Sequence, residues 1–160
     1  MSFYGADPVL FEGVSGVTAT PGGNDVGIGY RRTEGGKEYL KVYNDCNSDI
    51  NPGYGVVLSS GVSGYSISVT SVTSADIVVG VAQSTTMTTG TYGWVVTKGI
   101  TAVEMGATSG SVASLGLIEI GAAGVFVPVS NITGVKSPAV GQALAAIVSS
   151  ASGNAYVSCY

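Results

Sequence analysis

The sequence predicts an all-β protein, and three observations lead there. Its 160 residues include 24 Val and 14 Thr against 6 Leu, together with 25 Gly. β-Branched side chains fit a pleated, half-buried surface, and glycine supplies turns. Short apolar runs, about ten of them, recur between stretches rich in Gly, Pro, Asn and Ser, the spacing of a small sandwich or barrel. Finally, residues 80–105, GVAQSTTMTTGTYGWVVTKGITAVEM, read as two strands joined by a Thr-rich loop at 84–90. In the second strand Trp94 and Val96 share one face, while unbroken alternation would put Val103 and Met105 on the other. A one-residue bulge at Gly99 shifts the parity and returns all four to one buried face. The expected fold is a compact β-barrel or β-sandwich of about ten short strands that turns its corner at Gly99.

Taken in order, residues 1–25 stand apart as an extended N-terminal arm. Phe3, Tyr4, Leu10 and Phe11 are interrupted by Gly5, Pro8, Gly13, Gly16, Pro21, Gly22 and Gly23, and no strand or helix period persists. A loose terminus would read this way, but so would an arm that orders on a neighbouring subunit and offsets its lost entropy by burying aromatic surface. Residues 26–160 form one domain. Its first hairpin, VGIGYRR and KEYLKVYN, turns at Thr33-Glu34-Gly35-Gly36, where the glycine pair allows positive φ. Tyr39 and Lys41 alternate with Leu40 and Val42, the pattern of a half-buried strand.

Residues 46–53 are a polar loop ending in the turn signal Asn51-Pro52-Gly53. A second hairpin joins 55–59 to 65–69, and 77–83 leads into the central stretch. Beyond it, 117–120 pairs with 125–129 across Gly121-Ala122-Ala123-Gly124, and 140–148 pairs with 155–160. Within the last pair AVGQALAAIVSS supports a short helix by its Ala and Leu content, whereas the flanking Gly141 and the closing hairpin favour a strand.

Only 10% of the residues are charged, and the net charge is −4. An apolar, weakly charged surface suits a chain covered by other subunits. It argues against nucleic acid, whose phosphates require clustered Lys and Arg. Arg31, Arg32, Lys37 and Lys41 do approach one another, but Glu34 and Glu38 lie among them, so they read as a solvated hairpin. The N-terminal MSFYGADPVLFEG lacks the basic and continuous apolar regions of a signal peptide. The longest apolar candidate, 139–148, falls short of the roughly 20 residues that span a bilayer, so no membrane association is expected. Cys46 and Cys159 are isolated thiols, read as buried small hydrophobes in preference to a bridge.

The residues that carry chemistry are sparse. There is no histidine, which removes Ser-His-Asp and Cys-His machinery and the commonest zinc ligand. Gly27-Ile28-Gly29 lacks the rest of a dinucleotide fingerprint, and Gly134-Val135-Lys136-Ser137 lacks the Gly-Lys pair of a phosphate loop. Asp45, Asn47 and Asp49 could offer oxygens to Ca²⁺, but without a distal glutamate they read as an Asx-rich turn. Glu104 and Glu119 are the candidate acid–base pair of a hydrolase, with nothing in the sequence to bring them together. Asn131-Ile132-Thr133 is a formal glycosylation sequon, which matters only on a secretory route. Trp94 and the nine tyrosines could build a sugar-stacking platform, although in a chain of strands they are more often core. No catalytic, cofactor or metal site is expected.

The order of features resembles the small capsid decoration (cement) proteins of tailed bacteriophages. A Gly-Gly hairpin ends in EYLKVYND; NPGYGVVL, DIVVGVAQSTTMTTGTYGWVVTKGITAV and SPAVGQALAAIVSSASGNAYVSCY follow. The family's G-V-A segment corresponds to residues 79–82. Its G-x-V-x-x-x-G-x-x-x-V strand corresponds to 93–103, and its late V-G-x-A-L hairpin to 140–144. The resemblance covers about residues 26–160 and leaves the arm outside. It implies a compact β-fold, made in the host bacterial cytoplasm and seated on the outside of the virion, where major capsid protein subunits meet. It further implies a homotrimer without cofactors or catalytic residues. Phe3, Tyr4, Leu10 and Phe11 of the arm then become the candidate capsid-binding residues. The alternative is a virion- or cell-surface adhesin that stacks Trp94 and tyrosines on glycans.

Overall fold

A computed structural model describes residues 28–59, 66–68, 77–83, 85–107, 110–129 and 140–159. Ten strands lie in these residues: β1 (Arg31–Glu34), β2 (Lys37–Asn44), β3 (Gly55–Leu58), β4 (Ser66–Ser68), β5 (Val78–Ala82), β6 (Tyr92–Glu104), β7 (Leu117–Ile120), β8 (Phe126–Pro128), β9 (Gly141–Ala143) and β10 (Ser152–Ser158). A 3₁₀ turn, Ala122–Gly124, joins β7 to β8. The all-β expectation therefore holds.

The strands hydrogen-bond in the order β1-β2-β4-β3-β5-β6-β10-β9-β7-β8, and β2 pairs additionally with β6. That extra pairing makes a ring of β2, β4, β3, β5 and β6, in which only β2 and β4 run parallel. From β6 the sheet runs on through β10, β9 and β7 to β8. The whole is thus an open ten-strand sheet folded on itself and not a closed barrel.

Two apolar cores result. Every strand of the ring contributes to the smaller one, which contains Leu40, Val42, Val56, Ile67, Val79 and Val95, with Ile50 and Met87 from loops. The larger core joins Tyr39, Trp94 and Val96 of the ring to Ile118, Phe126 and Val157 of the remaining strands. β2 and β6 lie between the two and bury side chains on both faces.

A bulge does shift the parity between Val96 and Val103, but it falls at Thr97 and not at Gly99 as expected. Tyr39 faces Val96 while Glu38 faces Lys98, so Thr97 is the extra residue on β6. Gly99 follows with φ +122°, a conformation L side chains rarely adopt. Trp94, Val96, Val103 and Met105 accordingly join one core. The first hairpin turns at Gly35 and Gly36, both at positive φ, the combination a two-residue hairpin loop with matching twist requires. Over the described residues 140–150, β9 and an isolated bridge from Ile147 to Val112 settle the choice for extended structure.

One local reading is corrected. Tyr39 and Lys41 were expected on a solvated face, but both are buried, Lys41 completely. Alternation shows that a strand has two faces; it does not show that a second layer covers the polar one. Here the larger core covers it. The Lys41 ammonium lies 5.7 Å from the centre of the Trp94 ring, whose negative face attracts a cation.

Candidate interaction surface

The described candidates for chemistry occupy structural positions. Trp94 is fully buried and meets Tyr30 edge-on at 6.4 Å between ring centres. A sugar cannot stack on it, which overturns the glycan platform built on this residue. The polar loop after β2 is organised from beneath by Asn44. Its amide Nδ2 donates to the carbonyls of Met87 at 2.8 Å and Ser48 at 3.1 Å. Its Oδ1 accepts from the Cys46 amide at 3.0 Å and the Cys46 thiol at 2.9 Å. This is the Asx-type turn expected, built on Asn44 and not on the aspartates. Among the described residues no three His, Cys, Asp or Glu side chains converge as metal ligands.

Both cysteines are free thiols, Cys46 buried and Cys159 partly covered. Burial pushes the Cys159 thiol up to about 12; it stays protonated at neutral pH and is a poor nucleophile. Glu104 accepts a hydrogen bond from Ser152 Oγ at the end of β6. Glu119 is buried on β7, and β9 and β10 separate those strands in the sheet. The basic hairpin carries an ion pair between Arg32 and Glu34 at 2.8 Å, and Lys98 approaches Glu38 at 3.8 Å. The loop at 85–90 turns inward: Met87 is fully buried and bridges to Ile50, and Thr86 Oγ1 donates to Asn51 Oδ1 at 3.0 Å. Phe3, Tyr4, Leu10 and Phe11 lie outside the described residues, as do the segments 131–133 and 134–137.

What the sequence did not flag is a face. The register aligns Ile100 with Tyr156, Tyr156 with Gln142, and Gln142 with Leu117. Cross-strand partners share a face, so these four form one row across β6, β10, β9 and β7. Ile100, Tyr156 and Leu117 are 49%, 41% and 51% exposed, a large solvated area for side chains of this kind. Between Leu117 and Tyr156 lies a shallow hollow of about 190 Å³, lined also by Val140, Gly141, Gln142 and Ser158. A signal was present: beyond the bulge, Ile100 stands at an outward position between Lys98 and Ala102.

No protein-family model and no curated protein matches the chain. Among solved structures, the chain is similar to the N base of the head fiber protein gp8.5 of bacteriophage phi29. The TM-score is 0.52 at 14% identity, covering 75% of this chain and 92% of that one. At that identity the likeness is one of fold.

Proposed function

We propose that the chain is a structural protein of a phage virion, a decoration or cement protein that binds the outer surface of the major capsid lattice and stabilises the shell. The observation that carries this reading is the fold shared with a protein whose name ties it to a phage head. The sequence resemblance to decoration proteins supports the same reading from a separate direction. The protein works without catalysis or cofactor. A shell strained outward by packaged DNA is stabilised by whatever binds only its assembled form, because that binding free energy adds to the assembled state. Many copies with modest interfaces multiply the effect.

In this proposal the subunits self-associate as a homotrimer, and the arm grips the major capsid protein through Phe3, Tyr4, Leu10 and Phe11. Co-sedimentation with capsids that lack the protein tests the role. Saturable binding at a fixed ratio to the major capsid protein is the expected result, and no binding to any expanded capsid refutes it. Deleting residues 1–20 should abolish decoration and leave the β-fold intact. Unchanged affinity of the truncated chain would refute the arm's part.

A further inference from the structure

We infer that the outward face of β6, β10, β9, β7 and β8 is where this chain binds a second copy of itself. The inference deepens the self-association in the reading above. It is tested on free protein, so that either can fail alone.

The face is defined by register. The row of Ile100, Tyr156, Gln142 and Leu117 continues to Val129, whose amide donates to the Leu117 carbonyl at 3.0 Å. Leu144, whose amide donates to the Asn154 carbonyl at 2.9 Å, lies in the next row. Five strands at about 4.8 Å make the row about 19 Å wide. Five of the nine exposed large apolar side chains among the described residues belong to this face: Ile100, Tyr156, Leu117, Val129 and Leu144, each between 37% and 51% exposed. Together they present of order 400 Å² of accessible surface, within the range of the largest patch on a typical monomer.

Two observations select the occupant. The first is charge. Between the apolar side chains stand Gln142, Asn154, Ser158 and Ala102, and the charged groups at the edges already have partners: Lys98 approaches Glu38, and Glu104 accepts from Ser152 Oγ. Nothing on the face would recognise a charged partner. It fits a surface as charge-poor as itself, and this chain, with 10% charged residues, offers one. The second is size. The five apolar side chains alone supply about half of the roughly 800 Å² per partner of a standard protein–protein interface, before the small polar residues among them are counted. It also bears a tyrosine, a residue enriched at such interfaces. A peptide or small molecule would leave most of it wet.

Sedimentation velocity on the full-length chain, from about 1 to 100 µM and without capsids, tests this. The wild type should sediment as a multiple of the chain mass, with little change between low and high salt because the face is uncharged. Ile100→Lys and Tyr156→Lys each place a charge in the row at a half-exposed position that folding tolerates. Each should raise the dissociation constant at least tenfold. Ile77→Lys, 57% exposed and beside β3, should leave it unchanged. Far-UV circular dichroism identifies folded variants, and Leu117→Lys replaces either one that fails to fold. A wild type that remains monomeric at about 100 µM overturns the inference, as do folded row variants that associate like the wild type. A monomeric chain that still decorates capsids would remove this interface and leave the decoration reading standing.

Discussion

Replacing Gly99 with alanine should destabilise the protein by about 2 kcal/mol, because this glycine holds the bend on which the larger core depends. Its φ of +122° lies where L side chains rarely go, and such strain costs of order 1–3 kcal/mol. An added Cβ would also stand 3.1 Å from the Gly36 carbonyl oxygen and 3.1 Å from Lys37 Cα. Both are backbone atoms of the neighbouring hairpin, so relief requires moving the β1–β2 turn. Against this, alanine stiffens the unfolded chain and returns about 0.4–1 kcal/mol. Urea unfolding followed by Trp94 fluorescence measures the net. With a denaturant slope of about 2 kcal/mol/M, the midpoint should fall by about 1 M. Gly35→Ala is the control: its φ is +58° but an added Cβ meets nothing within 4 Å, so its cost should be about half as large or less. A Gly99→Ala midpoint indistinguishable from wild type would refute the argument. So would a Gly35→Ala loss of equal size, which would assign the whole effect to generic backbone strain.

Two further outcomes follow from the buried polar groups. Asn44→Ala removes four hydrogen bonds: the buried Cys46 amide loses its acceptor, and the Met87 carbonyl keeps only the Ile50 amide. The cost should be about 3 kcal/mol, seen as a fall of roughly 10 °C in Tm. The second concerns alkaline pH. Burial pushes the Cys159 thiol from 9.0 up to about 12. It also raises the Tyr39 hydroxyl above 10.0, with the Glu34 carboxylate adding and Arg32 opposing. Above pH 9 the unfolded chain loses these protons while the folded chain keeps them, so stability is complete below that pH and falls toward pH 12. Urea titrations under reducing conditions near pH 8 and pH 10.5 should show this loss, and Cys159→Ala should reduce it.

Much of the strand layout was legible because it is local. Leu117–Ile120 forms β7 with the bounds its apolar run suggested, and the glycine pairs at 35–36 and 121–124 mark turns between neighbouring strands. The bulge was legible for a different reason: only an extra residue reconciles Trp94 and Val96 with Val103 and Met105 on one face. What the sequence concealed is non-local. Lys41 looks solvated in a strand that alternates, and its burial depends on a core assembled from β6 to β10. Met87 sits in a polar, Thr-rich loop, and its burial depends on the bridge to Ile50, which lies 37 residues earlier. The outward apolar row is hidden in the same way. Its members come from four separate strands, and each alone is an ordinary exposed residue.

The placement of polarity follows from this construction. With most of β2 and the first half of β6 buried on both faces, the strands shared by the two cores have little outward face left to carry charge. The described charges are concentrated at the β1–β2 hairpin: Arg31, Arg32, Glu34, Lys37, Glu38 and nearby Lys98. β1 is one terminal strand of the sheet, and charged side chains there discourage edge-to-edge pairing with another molecule. The other half has the opposite chemistry, a nearly uncharged face on β10, β9 and β7. A molecule charged at one edge and apolar on one face associates in one way and resists others. Moving charge from the first half to the second, as Ile100→Lys does, should therefore weaken the intended contact without creating a new one. Aggregation of that variant into larger species would contradict this division of roles.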